Sequence, residues 1–217
     1  MRHLFDLQLQ QLADEIVHMG AMVENAISNA SEALLTNNIP LAESTINADA
    51  LVDQKERDIE TACFRLLLTQ HPIAKDLRKV SAALKMITDM ERIGDQAADI
   101  CEIVTYLTDT EMPAHSHIKE MARSTVKMVN KAVESYVKSD LDLAYEVMKS
   151  DDEVDLQFTL LKKEIITLLQ SAQIPEQDAL DLLMIGKYFE RIGDHAVNIS
   201  EWVVFSVTGL YKGEVFQ

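Results

Sequence analysis

Residues 91–95 read Glu-Arg-Ile-Gly-Asp, and residues 190–194 read the same five letters, 99 positions further along the chain (190 − 91). The likeness extends over residues 90–102 and 189–201, which agree at eight of thirteen aligned positions. Chance would match roughly one position in twenty, so the chain contains an internal repeat. Any function that the pentapeptide carries is therefore expected twice.

Apolar residues recur at helical spacing along the chain, and only 6 Gly and 4 Pro interrupt them. This pattern predicts an all-α fold with six long helices and no obvious place for strands. The first helix is expected to stop near Thr36. The others are expected over residues 41–69, 72–107, 118–138, 141–170 and 174–207. Pro72 is predicted in the first turn of the third helix, and Ser139 or Asp140 is predicted to cap the fifth.

The chain is expected to divide near its middle. Residues 108–117 have no periodic pattern and contain a Met-Pro pair, which is typical of a linker. Helices two and five also resemble each other at an offset of 102 (143 − 41), since Asp49, Val52 and Asp53 match acids and a valine at 151, 154 and 155. We therefore predict two pseudo-symmetric up-down-up bundles of three helices, covering residues 1–110 and 116–217.

Composition excludes several classes of function. The chain has 36 acidic and 20 basic residues, a formal charge of −16 and no Lys/Arg block, which argues against a nucleic-acid partner. Cys63 and Cys101 are neither adjacent nor in a CxxC pair, so we interpret them as reduced thiols of a cytosolic protein. No signal peptide and no run of about 18 apolar residues is visible. Membrane association is expected only through partners.

The repeated motif places two carboxylates on one helix face. Residues four apart in a helix point the same way, so Glu91 lies beside Asp95, and Glu190 beside Asp194. Like charges at this spacing cost a few tenths of a kcal/mol, and repeating them suggests that something offsets the repulsion. The predicted second and fifth helices carry acids at the same spacing. These further pairs are Asp49/Asp53 and Asp151/Asp155.

Facing helices that carry such pairs would offer several oxygen ligands. Carboxylate oxygens suit Mg²⁺, Ca²⁺, Mn²⁺ or iron, and they also bind zinc. We therefore predict a multinuclear metal site in each half. Gly94 and Gly193 support this interpretation, because each costs about 1 kcal/mol inside a helix and needs a reason such as close packing or access beside a ligand.

A solvated acidic face is the simpler explanation for Asp49 and Asp53 taken alone, since Glu56 and Glu60 continue their stripe. For the two pentapeptides the metal interpretation is favoured. Arg92 and Arg191 are expected to form salt bridges between helices, and the lone His195 is expected to be structural.

No phosphate loop, nucleophile elbow or catalytic His/Ser pairing is visible, so we expect no enzyme activity. A non-enzymatic regulator is the leading hypothesis. One alternative is a carboxylate-bridged metalloenzyme or metal store, which normally carries a Glu-x-x-His pair. Another is a metal-free helical adaptor in which the acids pair with Arg and Lys.

The doubled motif, with Asp-Leu-Arg at 76–78, Met-Gly-Ala-Met-Val-Glu at 19–24 and Asp-His-Ala-Val-Asn-Ile at 194–199, resembles the PhoU family of phosphate-uptake regulators. The resemblance implies two three-helix bundles with metal clusters at Glu/Asp-x-x-x-Asp motifs. The matching positions are Glu91, Asp95, Glu190, Asp194, Asp49, Asp53, Asp151 and Asp155. Asp99 is a weaker addition because its counterpart is Asn198.

The resemblance also implies a cytoplasmic protein that damps phosphate-starvation signalling when phosphate is plentiful. Its partners would be the ATP-binding subunit of the phosphate ABC transporter and the phosphate-sensing histidine kinase. Iron, zinc, manganese and magnesium all remain open as the metal, and so does the formation of a homodimer.

Overall fold

The computed structural model describes residues 2–70, 72–107 and 115–215, nearly all of them in six long helices. These are α1 (Arg2–Thr36), α2 (Ile39–Gln70), α3 (Ala74–Val104), α4 (His115–Lys138), α5 (Leu141–Gln170) and α6 (Glu176–Thr208). The all-α prediction is confirmed. None of the helices in the described part of the chain has a stretch apolar enough to span a bilayer.

One short hairpin follows α6 where no strand was expected. Strands β1 (Leu210–Tyr211) and β2 (Glu214–Val215) pair antiparallel. Gly209, at φ 82°, ends α6 in the left-handed region, and Gly213 at the same φ helps the chain to turn. Tyr211 then stacks on Trp202 of α6 with ring centroids 4.2 Å apart, which fixes the hairpin to the helix.

The short connections are closed by side-chain caps. Asn38 Oδ1 accepts from the Leu41 amide at 3.1 Å at the start of α2. Asp140 Oδ1 accepts from the Leu143 amide at 3.1 Å at the start of α5, whereas Ser139 adopts a left-handed φ of 55° and does not cap. Of the two residues predicted as caps of the fifth helix, Asp140 is therefore the correct one.

Some predicted boundaries differ from the structure, and α3 ends at Val104 rather than near residue 107. Pro72 lies outside α3, because Ile73 is extended (φ −124°, ψ 155°) and helical geometry begins only at Ala74. His117 belongs to α4 rather than to a linker. Its ring lies against α5, with Nδ1 2.8 Å from Gln157 Oε1. Residues 108–114 of the predicted linker, including the proposed boundary at 110, are outside the described residues.

The helices pack as two trios that are in direct contact with each other. Helix α3 packs against α1 and α2, and α6 packs against α4 and α5. The trios are joined where α3 meets α6 and where α1 meets α4. Since the turns of two residues between α1 and α2 and between α4 and α5 reverse the chain, these neighbours are antiparallel.

A continuous apolar core runs through both trios. Ile16, Met90 and Ile93 are fully buried on the first side, and Phe189 and Ile199 on the second. Burying one such side chain contributes roughly 1.5–3 kcal/mol. Both copies of the pentapeptide contribute their isoleucine to this core, so each motif has one apolar edge facing inward.

Replacing the observed cap should be costly, and replacing its neighbour should not. Asp140→Ala is expected to lower the free energy of unfolding by about 1 kcal/mol, because the Leu143 amide loses its acceptor. Ser139→Ala is the matched control and should change it little. Urea titration followed by circular dichroism measures both. Equal losses in the two variants would contradict the capping assignment.

Candidate metal centre

Helices α2 and α3 lie close together at Gly94, beside a carboxylate of α2. A Cβ added to Gly94 would lie 3.0 Å from Asp49 Oδ1 and 3.2 Å from Val52 Cγ1. Any larger residue would push the two helices apart or displace Asp49. The costly glycine predicted from the sequence therefore allows a carboxylate to lie against the neighbouring backbone.

This approach brings three of the predicted carboxylates together. One oxygen from each of Asp49, Asp53 and Asp95 lies within 4.8 Å of the others. All three side chains are partly buried. Asp49 and Asp53 thus lie beside Asp95 of α3 with intermediate burial, whereas Glu60, further along the stripe, is exposed.

The crowding of these acids perturbs their protonation. Burial, with the neighbouring charges of Asp95 and Asp53, raises the pKa of Asp49 to about 6. Burial and then Asp95 raise the pKa of Glu91 to about 7, with further contributions from Glu56 and Asp53. The pKa of Asp95 is also raised, first by burial and then by Asp53. Glu91 thus belongs to the same electrostatic cluster.

Asp99 lies at the edge of this cluster. Burial raises its pKa, followed by the charges of Glu102 and Asp95, while Arg191 of α6 opposes the shift. It is not a member of the close trio of aspartates. Its position one turn beyond Asp95 places it toward the contact with α6.

In the second half, α5 and α6 lie close together at Gly193, as α2 and α3 do at Gly94. A Cβ on Gly193 would lie 2.8 Å from Asp151 Oδ1 and 3.6 Å from Val154 Cγ1, which matches the environment of Gly94. Burial, followed by the charges of Asp155, Asp194 and Glu190, raises the pKa of Asp151 to about 6. The four predicted carboxylates of this half therefore also act on one another.

The second cluster is nevertheless more open than the first. Asp155 and Asp194 are exposed, and Glu190 forms an ion pair with Lys187 one turn earlier on α6. Within residues 2–70, 72–107 and 115–215, the only trio of carboxylates with oxygens as close as 4.8 Å is the one in the first half. The two predicted sites are built alike but are not equivalent.

Salt bridges from the motif arginines do not explain the repeated acids. In the described part of the chain, Arg92 and Arg191 have no carboxylate oxygen within 4.0 Å, contrary to the salt bridges expected from the sequence. Both arginines instead line an open cleft between α3 and α6. Of the nine predicted ligands, only Asp53 and Glu190 have a basic partner among the described residues. These partners are Arg57 and Lys187.

One polar contact between the two halves was not predicted from the sequence. Asp89 of α3 is only 6% exposed, and its Oδ1 lies 2.8 Å from His195 Nδ1 and accepts from Asn198 Nδ2 at 3.2 Å. His195 is therefore structural, as expected. No repeat signal could have found Asp89, because Tyr188 stands at its position in the second copy.

The donor set fits a hard cation. Asp49 Oδ1 and Asp151 Oδ1 are buried and have no hydrogen-bond partner, which is costly for a carboxylate oxygen. Each lies in the recess that a glycine leaves open. Several oxygen donors with little imidazole suit Mg²⁺, Mn²⁺, iron or Ca²⁺. A cation there would satisfy the orphaned oxygens and neutralise the repulsion.

Comparison with known proteins identifies the family. The PhoU domain matches the chain twice, over residues 16–104 and 118–203. The chain belongs to the PhoU family. A phosphate-specific transport system accessory protein PhoU homolog from Clostridium acetobutylicum is 34% identical over 212 residues, covering 96% of each chain. The accessory protein PhoU of Escherichia coli is 29% identical over 206 residues, covering 94% of this chain and 86% of that one.

Solved PhoU structures share the fold. The crystal structure of PhoU from Pseudomonas aeruginosa superposes with a TM-score of 0.89 at 29% identity, over 95% of this chain and 100% of that one. The phosphate transport system regulatory protein PhoU from Streptococcus pneumoniae gives 0.90 at 29% identity, over 95% and 98%. PhoU is a family of accessory and regulatory proteins rather than of enzymes.

The raised pKa values predict a pH dependence of the metal-free protein. An acid whose pKa is higher in the folded state stabilises the fold below its unfolded pKa, and this stability is lost as pH rises through the folded pKa. For Asp49 and Glu91, with pKa values near 6 and 7, the loss should occur between about pH 4 and pH 7. With chelator present, the melting temperature of Asp49→Asn/Glu91→Gln should therefore rise relative to wild type as pH increases from 5 to 8.

The matched control is Glu43→Gln/Glu60→Gln, which removes two exposed acids of α2 and the same formal charge. Its melting temperature should keep a nearly constant difference from wild type over this range. If the Asp49/Glu91 variant also shows a constant difference, the two carboxylates are not under strain in the folded protein.

Proposed function

We propose that this protein is a metal-dependent, non-enzymatic regulator of phosphate uptake, with one carboxylate metal site in each half. The proximity of the Asp49, Asp53 and Asp95 oxygens, within 4.8 Å, is the observation that carries the metal assignment. Membership of the PhoU family supports the regulatory role. The names of the relatives, phosphate-specific transport system accessory proteins, support association with such a transport system.

The residues that would hold the metal follow from the donor set. Asp49, Asp53, Glu91 and Asp95 would form the site of the first half, with Asp99 at its edge. Asp151, Asp155, Glu190 and Asp194 would form the site of the second. Bound cations would supply the positive charge that lets helices α2 and α3, and likewise α5 and α6, keep their acids together. The metal would be iron, zinc, manganese or magnesium.

A metal store of the ferritin-like kind has less support. Such proteins present a Glu-x-x-His pair on a helix. Gly94 and Gly193 stand three residues after the glutamates of the two motifs, so neither copy has the histidine. The metal is therefore proposed to shape a binding surface rather than to react.

The proposed partners are the ATP-binding subunit of the phosphate transporter and the phosphate-sensing histidine kinase, met at the cytoplasmic side of the membrane. A net charge of −16 would favour docking on basic patches of these proteins and would speed their encounter. Regulation would then consist of protein contact, with the metal holding the helices in their binding arrangement.

Metal analysis tests the sites directly. Protein purified without chelator should contain metal. The variants Glu91→Gln/Asp95→Asn and Glu190→Gln/Asp194→Asn should each lose the metal bound by one half of the protein. Each change replaces anionic oxygens by neutral amides of the same size, so the ligand charge falls while the packing is kept. Inductively coupled plasma mass spectrometry gives the metal content. The control is Glu43→Gln/Glu60→Gln, and unchanged metal in both test variants would remove the assignment.

Gene deletion tests the regulatory role. In phosphate-rich medium, loss of the gene should derepress alkaline phosphatase, and the wild-type gene supplied in trans should restore repression. The variant Glu91→Gln/Asp95→Asn should restore it only in part if metal shapes the docking surface. Alkaline phosphatase that stays repressed in the deletion strain would contradict the proposed function, whatever the metal content.

A further inference from the structure

Among the aligned positions at which the two halves differ, three change charge or size beside the carboxylate clusters. Residues aligned by the offsets of 102 for α2/α5 and 99 for α3/α6 occupy equivalent places in the structure. Gly94 faces Asp49 and Val52, and Gly193 faces Asp151 and Val154. Around this shared frame the residues differ in charge and size. The substitutions from the first half to the second are Glu56 to Phe158, Ile87 to Gly186 and Thr88 to Lys187.

In the first half, the differing residues extend the acidic cluster. Glu56 is partly buried, and its Oε1 accepts a hydrogen bond from Thr88 Oγ1 at 3.1 Å. The charge of Glu56 acts on Glu91, so it belongs to the cluster. Thr88 is neutral and orients this carboxylate without cancelling its charge. The first cluster thus contains five carboxylates, and its basic partner within 4.0 Å among the described residues is the exposed Arg57, 3.6 Å from Asp53.

In the second half, Phe158 stands at the position of Glu56, and Lys187 stands at the position of Thr88. Phe158 packs against Gly186, where an added Cβ would lie 3.1 Å from Phe158 Cδ2 and 2.5 Å from Leu161 Cδ2. Lys187 forms an ion pair with Glu190, and its Nζ lies 5.9 Å from the centroid of the Phe158 ring. The small glycine, the ring and the lysine therefore fit together as one arrangement.

We infer that the two clusters are unequal cation sites, and that Lys187 is a built-in counter-cation which weakens divalent-metal binding in the second half. The inference rests on the proposed function, because it needs both clusters to bind metal. In the second cluster the ammonium group of Lys187 is held against Glu190, whose side chain is 17% exposed, whereas Arg57, the basic partner in the first cluster, is exposed and lies 3.6 Å from Asp53. A metal must also displace Lys187 from Glu190 to use that carboxylate fully.

The consequence is ordered filling. At low metal concentration the first half would be occupied and the second would be held by its lysine. At higher concentration the second would fill as well. An exposed helical pair of spacing three normally contributes little to stability. Glu190, however, is only 17% exposed on its side chain, and the same lysine lies beside an aromatic ring. A role in cation binding therefore has a physical basis beyond helix stability.

Titration with Mn²⁺ tests this inference one half at a time. Glu91→Gln/Asp95→Asn reports the second cluster alone, and Glu190→Gln/Asp194→Asn reports the first. The wild-type second cluster should bind Mn²⁺ about tenfold more weakly than the first, because Mn²⁺ must displace the Lys187 ammonium group from the partly buried Glu190, whereas Arg57 is exposed and screened by solvent. Adding Lys187→Thr, which installs the residue of the first half, should tighten binding at the second cluster about tenfold.

Two further variants make the test specific. Lys162→Thr is the matched control, since Lys162 Nζ lies 4.4 Å from the same Phe158 centroid but forms no ion pair with Glu190. It should shift the Mn²⁺ dissociation constant less than about twofold. Thr88→Lys in the first half should weaken Mn²⁺ binding there, which tests the idea even if Lys187→Thr impairs folding. Circular dichroism and melting temperature establish that each variant is folded.

The outcomes separate the two proposals. If neither single-cluster protein binds Mn²⁺, the metal sites themselves are wrong. If both bind with equal affinity and Lys187→Thr changes nothing, the metal sites stand and the unequal roles are wrong. Equal effects of Lys187→Thr and Lys162→Thr would mean that only general surface charge matters, and this also overturns the inference.

Discussion

The contact between an aspartate of one helix and a glycine of the next is the constraint on which the rest of the structure depends. At Gly94 and at Gly193 the missing side chain leaves a space that Asp49 Oδ1 and Asp151 Oδ1 enter. A carboxylate held there is partly buried, its Oδ1 has no hydrogen-bond partner, and it repels the acids beside it. The fold tolerates this because the isoleucine preceding each glycine is buried in the apolar core.

The two motif copies are also joined to each other. The two copies lie on α3 and α6, the helices through which the trios contact each other. Asp89 of α3 is hydrogen-bonded to His195 and Asn198 of α6 within two turns of the glycines. Arg191 of the second copy acts on Asp99 of the first. A change of charge on α6 therefore alters the electrostatic environment of the acids on α3.

Much of this architecture could be predicted from the sequence, because helical periodicity and a duplicated motif are local signals. The six helices, the cap at Asp140 and the facing of α2 on α3 follow from spacing, turn chemistry and the repeat. The partners of individual side chains could not be predicted. His117 needed knowledge of which face of α5 lies opposite, and Asp89 has no counterpart in the second copy. The hairpin after α6 depends on a stacking contact, Trp202 on Tyr211, that no periodic pattern encodes.

What differs between the copies is as informative as what is shared. The glycine, the Glu-to-Asp spacing and the aspartate of the facing helix occur in both, so the approach of helix on helix is common to the two halves. The residues around that approach differ as a group, because an aromatic ring needs the room that Gly186 provides and a lysine needs the acid that Glu190 provides. Buried carboxylates can be neutralised by a tethered ammonium group or by a bound cation. Within the described residues the chain supplies an ammonium group to the second cluster, while in the first Asp53 alone has a basic partner, the exposed Arg57. The first half is therefore the one whose carboxylates have the weaker internal counter-charge.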